Sequence, residues 1–267
     1  KEPDPWIDTP RVNVLLLGGD DGANRVGVRP DTVILASINT ANGNIVLFNI
    51  PRQLGRAPFP PGSEGHRAWP NGFGPTIGGP PTDCGPNGGE LCFFNAIWTR
   101  AADNPRLFPN SKNPGLTATR QAVEGVLGLH VDYYGKVNLQ GFIDVVNAVG
   151  GVTIQVRRRL PIGGGTNMRT GRKNPVYGWI EPGVQHVQGK KAEWFARSRA
   201  DSPTGNWERM QRQQCLLGAL ARQINPLQLA MAYPKIAASA KRNVATDIPH
   251  SQIEAWITLA ERAKQGR

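Results

Sequence analysis

The stretch from Val12 to Ile50 decides the fold, because it contains three β-rich runs separated by turn signals. The runs are Val12–Leu17 (VNVLLL), Asp31–Ile38 (DTVILASI) and Asn44–Ile50 (NIVLFNI). Each run is short and mostly apolar, as expected for a buried strand. Gly18-Gly19 ends the first run, and Asn42-Gly43 between the other two is a strong hairpin signal. These residues predict three strands of one sheet, the last two joined as an antiparallel hairpin.

Helical periodicity dominates the rest of the chain. The predicted helices are Thr117–Leu127, Leu139–Val149, Gln188–Arg199, Trp207–Ile224 and a last one that opens at the capping-box pattern Ser251-x-x-Glu254. A further strand is predicted at Val152–Val156. Strands and helices intermix along the whole length, which predicts an α/β fold: a single three-layer α-β-α domain with a central mixed sheet flanked by helices. We expect this domain to cover residues 11–267, after an N-terminal linker of residues 1–10.

Two Gly-rich segments interrupt this pattern. Residues 54–90 form a long surface excursion, and Gly163–Gly178 is basic and is predicted to be a mobile loop. Cys84 and Cys92 flank a stretch in which no core can form, so a disulfide is expected to supply its order. A zinc site would need further ligands that the neighbouring sequence does not offer. Cys215 lies on an apolar helix stripe and is interpreted as a core thiol; one bridge and one buried thiol favour an oxidising compartment.

The charge balance points to an anionic partner. The 267 residues include 31 Lys and Arg against 20 Asp and Glu, a formal net charge of +11. Such a surface attracts nucleic acid, phosphorylated lipid or an acidic cell-wall polymer, unless it serves solubility alone. The basic residues are read as scattered, few aromatics accompany them, and no nucleic-acid-binding motif is present, so nucleic acid is not expected as a partner. No apolar run approaches the ~20 residues of a membrane span, which fits either a cytosolic protein or a domain separated from its anchor.

Carboxylates and arginines bracket the loop after the first strand. Asp20 and Asp31 lie at opposite ends of this loop, and Arg29 precedes Asp31 in the sequence Arg29-Pro30-Asp31-Thr32. Mg²⁺ is commonly held by one or two carboxylates together with substrate phosphates, so the two aspartates are candidate metal ligands. The alternative is that both aspartates cap turns.

Further arginines stand where other predicted elements end. Arg52 follows Ile50-Pro51, and Arg197 and Arg199 are spaced to point the same way from extended backbone. Guanidinium groups match phosphate oxygens bidentately, so such arginines suit a diphosphate, although solvated surface arginines are the alternative. Arg209 and Arg212 are neighbours on a helix edge away from its apolar stripe, where an anion would relieve their repulsion.

Taken together, these segments resemble the LytR-CpsA-Psr family of Gram-positive and actinobacterial cell envelopes. The motifs that carry the resemblance are NVLLLGGD, RPDT, NIPR, GVLGLHVDYYGKVNLQGFIDVVNAVGGV, PGVQHVQGKKAEWFARSR and RMQRQQ. The cysteine-bracketed insertion and the RPDT loop look most like the actinobacterial branch, which includes enzymes thought to join arabinogalactan to peptidoglycan. Gln53 and Asn206 depart from acidic residues that are common in the family, so no carboxylate role transfers to either position.

The resemblance implies a role for each matched residue. Asp20 and Asp31 correspond to carboxylates associated with Mg²⁺. The residues that correspond to ligands of the donor's pyrophosphate, or to the element beside it, are Arg29, Arg52, Arg197, Arg199, Arg209, Arg212 and Gln213.

The implied activity is a transferase that moves a phosphoglycan from a polyprenyl-pyrophosphate-linked donor onto peptidoglycan, with pyrophosphatase activity as a side reaction. Such an enzyme would work at the extracytoplasmic face of the cell membrane, held there by an anchor that precedes residue 1. Asp20, if free of metal, is the candidate base, and the sequence leaves that assignment open. The competing interpretation is a non-catalytic basic envelope protein that binds an anionic polymer or polyprenyl phosphate.

Overall fold

The computed structural model describes residues 6–19, 29–74, 92–167, 170–198, 206–223 and 244–265 of the chain. The chain divides into two compact units. Unit 1 comprises Lys1–Asn138 and Ala245–His250, and unit 2 comprises Leu139–Val244 and Ser251–Arg267. Within the described residues, no helix has the length and apolar character needed to cross a membrane.

Strands and helices have the following bounds. The strands are β1 (Arg11–Gly19), β2 (Pro30–Asn39), β3 (Ile45–Ile50), β4 (Tyr133–Asn138), β5 (Val152–Val156), β6 (Leu160–Gly163), β7 (Val176–Ile180), β8 (Gly183–Val187) and β9 (Val244–Thr246). The α-helices are α1 (Glu64–Ala68), α2 (Ile97–Asp103), α3 (Pro114–Leu127), α4 (Leu139–Ala148), α5 (Gly189–Arg197), α6 (Asn206–Gln223) and α7 (Ile253–Gln265). Short 3₁₀ turns occur at Phe94–Ala96, Pro105–Leu107 and His250–Gln252.

The central sheet has five strands in the order β3-β2-β1-β4-β9. Strand β1 is antiparallel to β2 and parallel to β4, so the sheet is mixed. The predicted α/β fold with a central mixed sheet flanked by helices is therefore confirmed. The inward residues of β1 and β2, such as Leu15 and Leu35, are completely buried, which explains why their sequence reads as apolar runs.

The predicted hairpin joins β2 to β3. Its loop spans residues 40–43, where Gly43 has a φ of 71° and donates its backbone N–H to the Asn39 carbonyl. The Asn39 side chain accepts hydrogen bonds from the backbone N–H groups of Ala41 and Asn42, which orders the turn. Asn42-Gly43 is thus the second half of a four-residue loop rather than a complete two-residue turn.

Residues 57–73 contribute to the core of unit 1, although the sequence predicted a surface excursion there. Phe59 and Phe73 are buried, and the Trp69 ring lies 5.4 Å and 5.0 Å from their ring centroids. Gly65 of α1 contacts the Phe59 ring so closely that a Cβ would lie 2.2 Å from one ring carbon. Aromatic packing therefore replaces regular structure as the source of order in this segment.

The chain returns to unit 1 through β9, and Asp247 fixes it there. The carboxylate of Asp247 accepts hydrogen bonds from the Tyr134 backbone N–H at 2.8 Å and from Arg120 Nη1 at 3.0 Å. Thr246 donates its hydroxyl to the Tyr134 carbonyl at 2.6 Å. Burial raises the pKa of the Tyr134 phenol, and the charge of Asp247 adds to the increase while Arg120 opposes it.

Unit 2 has its own core, in which Val152, Ile180, Val187 and Leu216 are almost fully buried. The predicted strand at Val152–Val156 is confirmed as β5, which pairs with β8. The predicted mobile loop at Gly163–Gly178 is wrong in part, because β6 and β7 pair as an antiparallel hairpin whose strands extend into that segment. The glycine and proline content of the segment suggested a loop. In the structure some of these glycines lie in or beside the paired strands, where positive φ angles such as that of Gly163 let the strands bend.

Candidate functional site

Four strand ends of unit 1 meet at one edge of the central sheet. The carboxyl ends of the parallel strands β1 and β4 lie together there, since Gly19 pairs with Asn138. Strand β2 begins at the same edge, where Pro30 pairs with Gly19, and the antiparallel strand β3 ends beside it at Ile50. Ligands commonly bind at the carboxyl ends of strands in open α/β sheets.

A β-bulge sets the position of Asp31 at this edge. Gly18 pairs with Thr32 and Gly19 pairs with Pro30, so Asp31 is the additional residue on β2. A bulge changes the direction in which a strand presents its side chains, and bulges are common beside active sites. Gly18 permits the arrangement, because a Cβ at this position would lie 2.9 Å from the Thr32 Cβ.

The register of the β2–β3 hairpin brings Arg52 opposite Asp31. Val33 pairs with Ile50, and the same register extended by two residues places Asp31 across from Arg52. Arg52 Nη1 lies 2.6 Å from Asp31 Oδ1, and the two side chains are 19% and 27% exposed. Asp31 and Arg52 therefore form an ion pair in unit 1, and their role in a functional site stays a prediction.

The backbone of Arg52 is fixed by a residue that sequence analysis missed. The Arg52 carbonyl accepts a hydrogen bond from the backbone N–H of Asn95 at 3.1 Å. Asn95 is 6% exposed, and its Oδ1 is buried without a hydrogen-bond partner among the described residues. Arg52 Nε is in the same situation. Buried polar atoms without partners are rare and call for a ligand, a water molecule or an ion. This role of Asn95 could not be predicted from the sequence, because an asparagine inside a short 3₁₀ turn belongs to no recognisable motif.

Two other predicted residues of this edge have different outcomes. Arg29 is partly buried and directly precedes β2, one residue beyond the last pair with β1. Its side chain makes no hydrogen bond or ion pair with the described residues. Asp20 lies outside the described residues, so its role as metal ligand or base stays a prediction.

The remaining predicted residues belong to unit 2. Arg197 is the last residue of α5, and its side chain is held by Glu193 at 2.7 Å and by the Trp194 ring at 5.1 Å. The expectation of extended backbone at Arg197 is wrong, because Arg197 is still helical and Ser198 is the C-cap. Arg199 lies outside the described residues.

Arg212 closes the end of α5. It donates from Nε to the Phe195 carbonyl at 2.8 Å and from Nη2 to the Ser198 carbonyl. A guanidinium at a helix C-terminus satisfies carbonyl groups that lack helical partners and matches the helix dipole. Burial lowers the pKa of Arg212, while the charge of Glu208 opposes that decrease. In this arrangement Arg212 positions the segment that carries Arg197.

Helix α6 is charged inside rather than at its edge. Arg209 is 3% exposed, which contradicts the expectation that it faces away from the apolar stripe. Glu208, which the sequence reading overlooked, lies 2.5 Å from Arg158 and 3.7 Å from Arg212 and compensates the charges of those two residues. Gln213 lies four residues after Arg209, and its Oε1 is buried without a hydrogen-bond partner among the described residues.

The cysteines and the cavities add two observations. Cys92 is disulfide-bonded and Cys215 is a free, partly buried cysteine; Cys84, the predicted partner of Cys92, lies outside the described residues. An open cavity of about 400 Å³ in unit 1 is lined by Arg56, Pro58, Phe59, His66, Pro70, Asn71 and Gly72. None of the predicted site residues lines this cavity, so the Asp31–Arg52 edge is identified by its charges and register instead.

The described residues fit a magnesium ion that takes much of its coordination from a substrate. Asp31 supplies one carboxylate at the sheet edge, and no group of three metal-ligating His, Cys, Asp or Glu side chains occurs in the described part of the chain. Mg²⁺ is usually bound through one or two carboxylates together with phosphates and water, so a single aspartate suffices for such a site.

Comparison with protein families matches residues 94–266 to the LytR_cpsA_psr family. The chain belongs to this family. The match covers all of the described part of unit 2 and the Asn95 turn, whereas Asp31 and Arg52 precede it.

Curated relatives of the chain include two named transferases. TagV of Bacillus subtilis, a polyisoprenyl-teichoic acid–peptidoglycan teichoic acid transferase, is 31% identical over 134 residues, which are 50% of this chain and 33% of TagV. TagU of Bacillus cereus, which has the same descriptive name, is 23% identical over 242 residues, which are 91% of this chain and 62% of TagU. The chain thus spans between a third and two thirds of the length of these relatives.

Solved structures share the fold. The crystal structure of B. subtilis TagV matches with a TM-score of 0.60 at 23% identity, over 96% of this chain and 80% of that one. The protein gbs0355 from Streptococcus agalactiae matches with a TM-score of 0.66 at 22% identity, over 98% of this chain and 77% of that one. A structure of TagT bound to LIIa-WTA matches with a TM-score of 0.60 at 18% identity, over 97% of this chain and 77% of that one. Each carries the same mixed α/β architecture.

Proposed function

We propose that this protein is a glycopolymer transferase that moves a phosphoglycan from a polyprenyl-pyrophosphate-linked donor onto peptidoglycan. The observation that carries the proposal is the Asp31–Arg52 pair, in which a bulge and a hairpin register place a carboxylate and a guanidinium at one sheet edge. Membership of a family that includes teichoic acid transferases supports the reaction class.

The guanidinium of Arg52 has bonding capacity left for a phosphate. Nη1 is occupied by Asp31, whereas the buried Nε has no partner among the described residues. Phosphate oxygens accept two parallel hydrogen bonds from a guanidinium, which gives both affinity and orientation. Arg29 stands next to the same edge and adds a second positive charge. By resemblance alone, Arg197, Arg199, Arg209, Arg212 and Gln213 are proposed to contribute to pyrophosphate binding.

A magnesium ion is the proposed cofactor, and Asp31 with Asp20 would hold it. When bound, it would neutralise charge on the phosphates. Loss of Asp31 would also release Arg52 from its ion pair, so the carboxylate has two roles: it binds the cation and it aims the guanidinium. Phosphoryl transfer depends chiefly on such positioning and charge neutralisation.

In the proposed reaction, a peptidoglycan hydroxyl attacks the phosphorus next to the sugar. A new P–O bond to the acceptor forms, the bond from that phosphorus to the bridging oxygen breaks, and polyprenyl phosphate leaves. The hydroxyl proton passes to a carboxylate, for which Asp20 is the candidate if Asp31 alone holds the metal. Water in place of the acceptor would give the pyrophosphatase side reaction.

The identity of the glycan and the cellular location of the protein are proposed from fewer observations. The insertion that ends at Cys92 resembles the actinobacterial branch, which favours arabinogalactan or a related polymer. The disulfide at Cys92 supports an oxidising, extracytoplasmic location. We propose that an anchor preceding residue 1 attaches this domain to the membrane.

The decisive experiment compares the Arg52→Ala and Arg52→Lys variants with the wild-type protein. Transfer of a labelled glycan from the pyrophosphate-linked donor to peptidoglycan, and release of polyprenyl phosphate, are measured with and without Mg²⁺. We expect kcat/KM to fall by about a hundredfold or more in Arg52→Ala, because a charge-stabilising donor is lost. Arg52→Lys should recover only part of this loss, since an ammonium group cannot form the bidentate contact.

Arg11→Ala is the matched control. Arg11 starts the neighbouring strand β1 and bonds Ser37 through its guanidinium at the opposite end of the sheet. Its removal should leave transfer unchanged. Full activity of Arg52→Ala would remove the site from consideration. If the wild-type protein binds the donor but shows no turnover with any acceptor, the non-catalytic envelope protein becomes the better description.

A further inference from the structure

Strands β6 and β7 form a hairpin that stands out from unit 2. Beyond the paired strands, Thr166 and Lys173 form a further bridge, and the turn closes with the Gly171 N–H donating to the Asn167 carbonyl. All described residues from 165 to 177 are exposed. This hairpin, residues 160–180, is held at its base by the buried side chains of Leu160 and Ile180.

The outer part of the hairpin exposes large apolar side chains. Val176 is 45%, Tyr177 is 78% and Trp179 is 38% exposed. Trp179 points to the face of β7 opposite the buried Ile180, whereas Tyr177 is the additional residue of a β-bulge, since Ile162 pairs with Gly178 and Gly163 pairs with Val176. The edge of the Tyr177 ring lies over Gly163, where a Cβ would come within 2.8 Å of it. Gly163 thus allows the Tyr177 ring to pack against the neighbouring strand.

Positive charge is concentrated in the same segment, contrary to the expectation of scattered basic residues. The hairpin, residues 160–180, contains three Lys or Arg and no Asp or Glu, and three further arginines at residues 157–159 directly precede it. Arg158 and Arg159 pair with Glu208 and Glu181 outside the segment. Arg172 and Lys173 at the exposed tip form no ion pair with any described residue.

We propose that this hairpin docks onto the surface of an anionic lipid bilayer. Tyr and Trp rings with a polar edge, combined with Lys and Arg, are the side chains that favour the boundary between lipid headgroups and acyl chains. Arg159, which is paired with Glu181, lies 4.1 Å from the Trp179 ring centroid, a cation–aromatic stack that holds the ring at the base of the hairpin. Exposed basic residues near a membrane surface each add about 1 kcal/mol of attraction to anionic lipids.

A soluble polyanion fits these observations less well than a bilayer does. Such a polymer would use the cations of the tip but would leave Val176 and Tyr177 in water. Exposed apolar side chains grouped on one element mark surfaces that become buried against a partner or a membrane. The charge of the hairpin complements anionic headgroups, and its apolar residues complement the layer beneath them.

The test is co-sedimentation of the protein with vesicles, which needs no donor substrate and therefore fails or succeeds separately from the proposed transferase activity. Vesicles of phosphatidylcholine with an equal amount of phosphatidylglycerol are compared with vesicles of phosphatidylcholine alone. We expect the wild-type protein to bind the anionic vesicles. The double variant Arg172→Glu with Lys173→Glu should lower the partition coefficient by about tenfold or more. Tyr177→Ser should lower it several-fold even at high salt, because its contribution is apolar.

The control variants change net charge and exposed apolar surface at positions outside the hairpin. Arg106→Glu with Lys112→Glu makes the same change in net charge at exposed residues of unit 1, and Ile7→Ser removes a side chain that is 76% exposed. Both should retain vesicle binding. The proposal is overturned if the wild-type protein does not bind anionic vesicles or if both charge variants lose binding equally. It is also overturned if Tyr177→Ser binds like the wild type while the tip variant loses binding to soluble polyphosphate.

Discussion

Arg52 illustrates how a charged side chain is kept ready for a ligand. Asp31 fixes the guanidinium from one side at 2.6 Å, while the buried Nε has no partner in the described part of the chain. A lone arginine at this edge would adopt several rotamers and would lose that freedom on binding. The carboxylate removes this cost beforehand, so an arriving phosphate meets a side chain that is already oriented.

Arg212 acts on the site through its neighbours. Because it donates to the carbonyls of Phe195 and Ser198, its loss leaves buried acceptors without partners at the end of α5. We predict that Arg212→Ala lowers the free energy of unfolding by about 1–3 kcal/mol. Arg212→Lys should recover less than half of that loss, since one ammonium cannot reach both carbonyls. Denaturant unfolding of the purified variants measures both values.

Lys190→Ala is the matched control for this prediction. Lys190 is exposed near the start of α5, and its removal should change stability by less than about 0.5 kcal/mol. Equal stability of Arg212→Ala and the wild type would show that the two carbonyls are satisfied by water, and Arg212 would then be a ligand-binding residue alone.

At the scale of elements, the bulge between β1 and β2 converts a regular strand pair into a site. If side chains alternated regularly along β2, Asp31 would lie on the same face of the sheet as Val33. The additional residue at the bulge removes that constraint. The close approach of Gly18 and Thr32 shows where the chain accommodates the irregularity.

We predict that Gly18→Ala is costly because of Thr32. The new Cβ would lie 2.9 Å from the Thr32 Cβ, so the variant should lose about 1–3 kcal/mol of stability and most of its transfer activity. In a Thr32→Gly background the same substitution should cost less than about 0.5 kcal/mol, which a double-mutant cycle measures.

Gly135→Ala on the adjacent strand β4 serves as the control, because the nearest atom, Leu16 Cδ2, lies at an ordinary 3.6 Å. A similar loss for Gly135→Ala, or an unchanged cost of Gly18→Ala after Thr32→Gly, would contradict the steric explanation.

The sequence predicted these elements unevenly, for physical reasons. Strands β1, β2 and β3 of the central sheet and the helix that starts at Pro114 were accessible because burial imposes a regular pattern on local sequence, whereas β4 and β9 were not predicted. The bulge at Asp31 was not, since one additional residue leaves that pattern intact. The β6–β7 hairpin was hidden by its glycines, and the burial of Arg209 was hidden because the helical pattern does not show which parts of the fold cover that position.

At the scale of the molecule, each unit has a separate hydrophobic core. Leu35 is fully buried in the core of unit 1, and Leu216 is 1% exposed in the core of unit 2. We predict that Leu35→Ala and Leu216→Ala each cost about 2–5 kcal/mol. Native-state hydrogen exchange should locate the effect of each variant mainly in its own unit.

The informative comparison is between amides of β1 and of α6 in the same sample. Leu35→Ala should accelerate exchange in β1 more than in α6, and Leu216→Ala should do the reverse. If both variants accelerate both elements by the same factor, the chain unfolds as one cooperative body in spite of its two cores.

The loop at residues 40–43 has a consequence for how this protein can change over time. It is short and exposes Ala41 and Asn42 at its tip, the kind of place where chains usually gain or lose residues without harm. Yet its length determines which residue of β2 faces which residue of β3, all the way to Asp31 and Arg52. A single insertion there would turn one of the two charges to the opposite face of the sheet. Length variation among descendants of this chain should therefore be tolerated in other loops and selected against in this one.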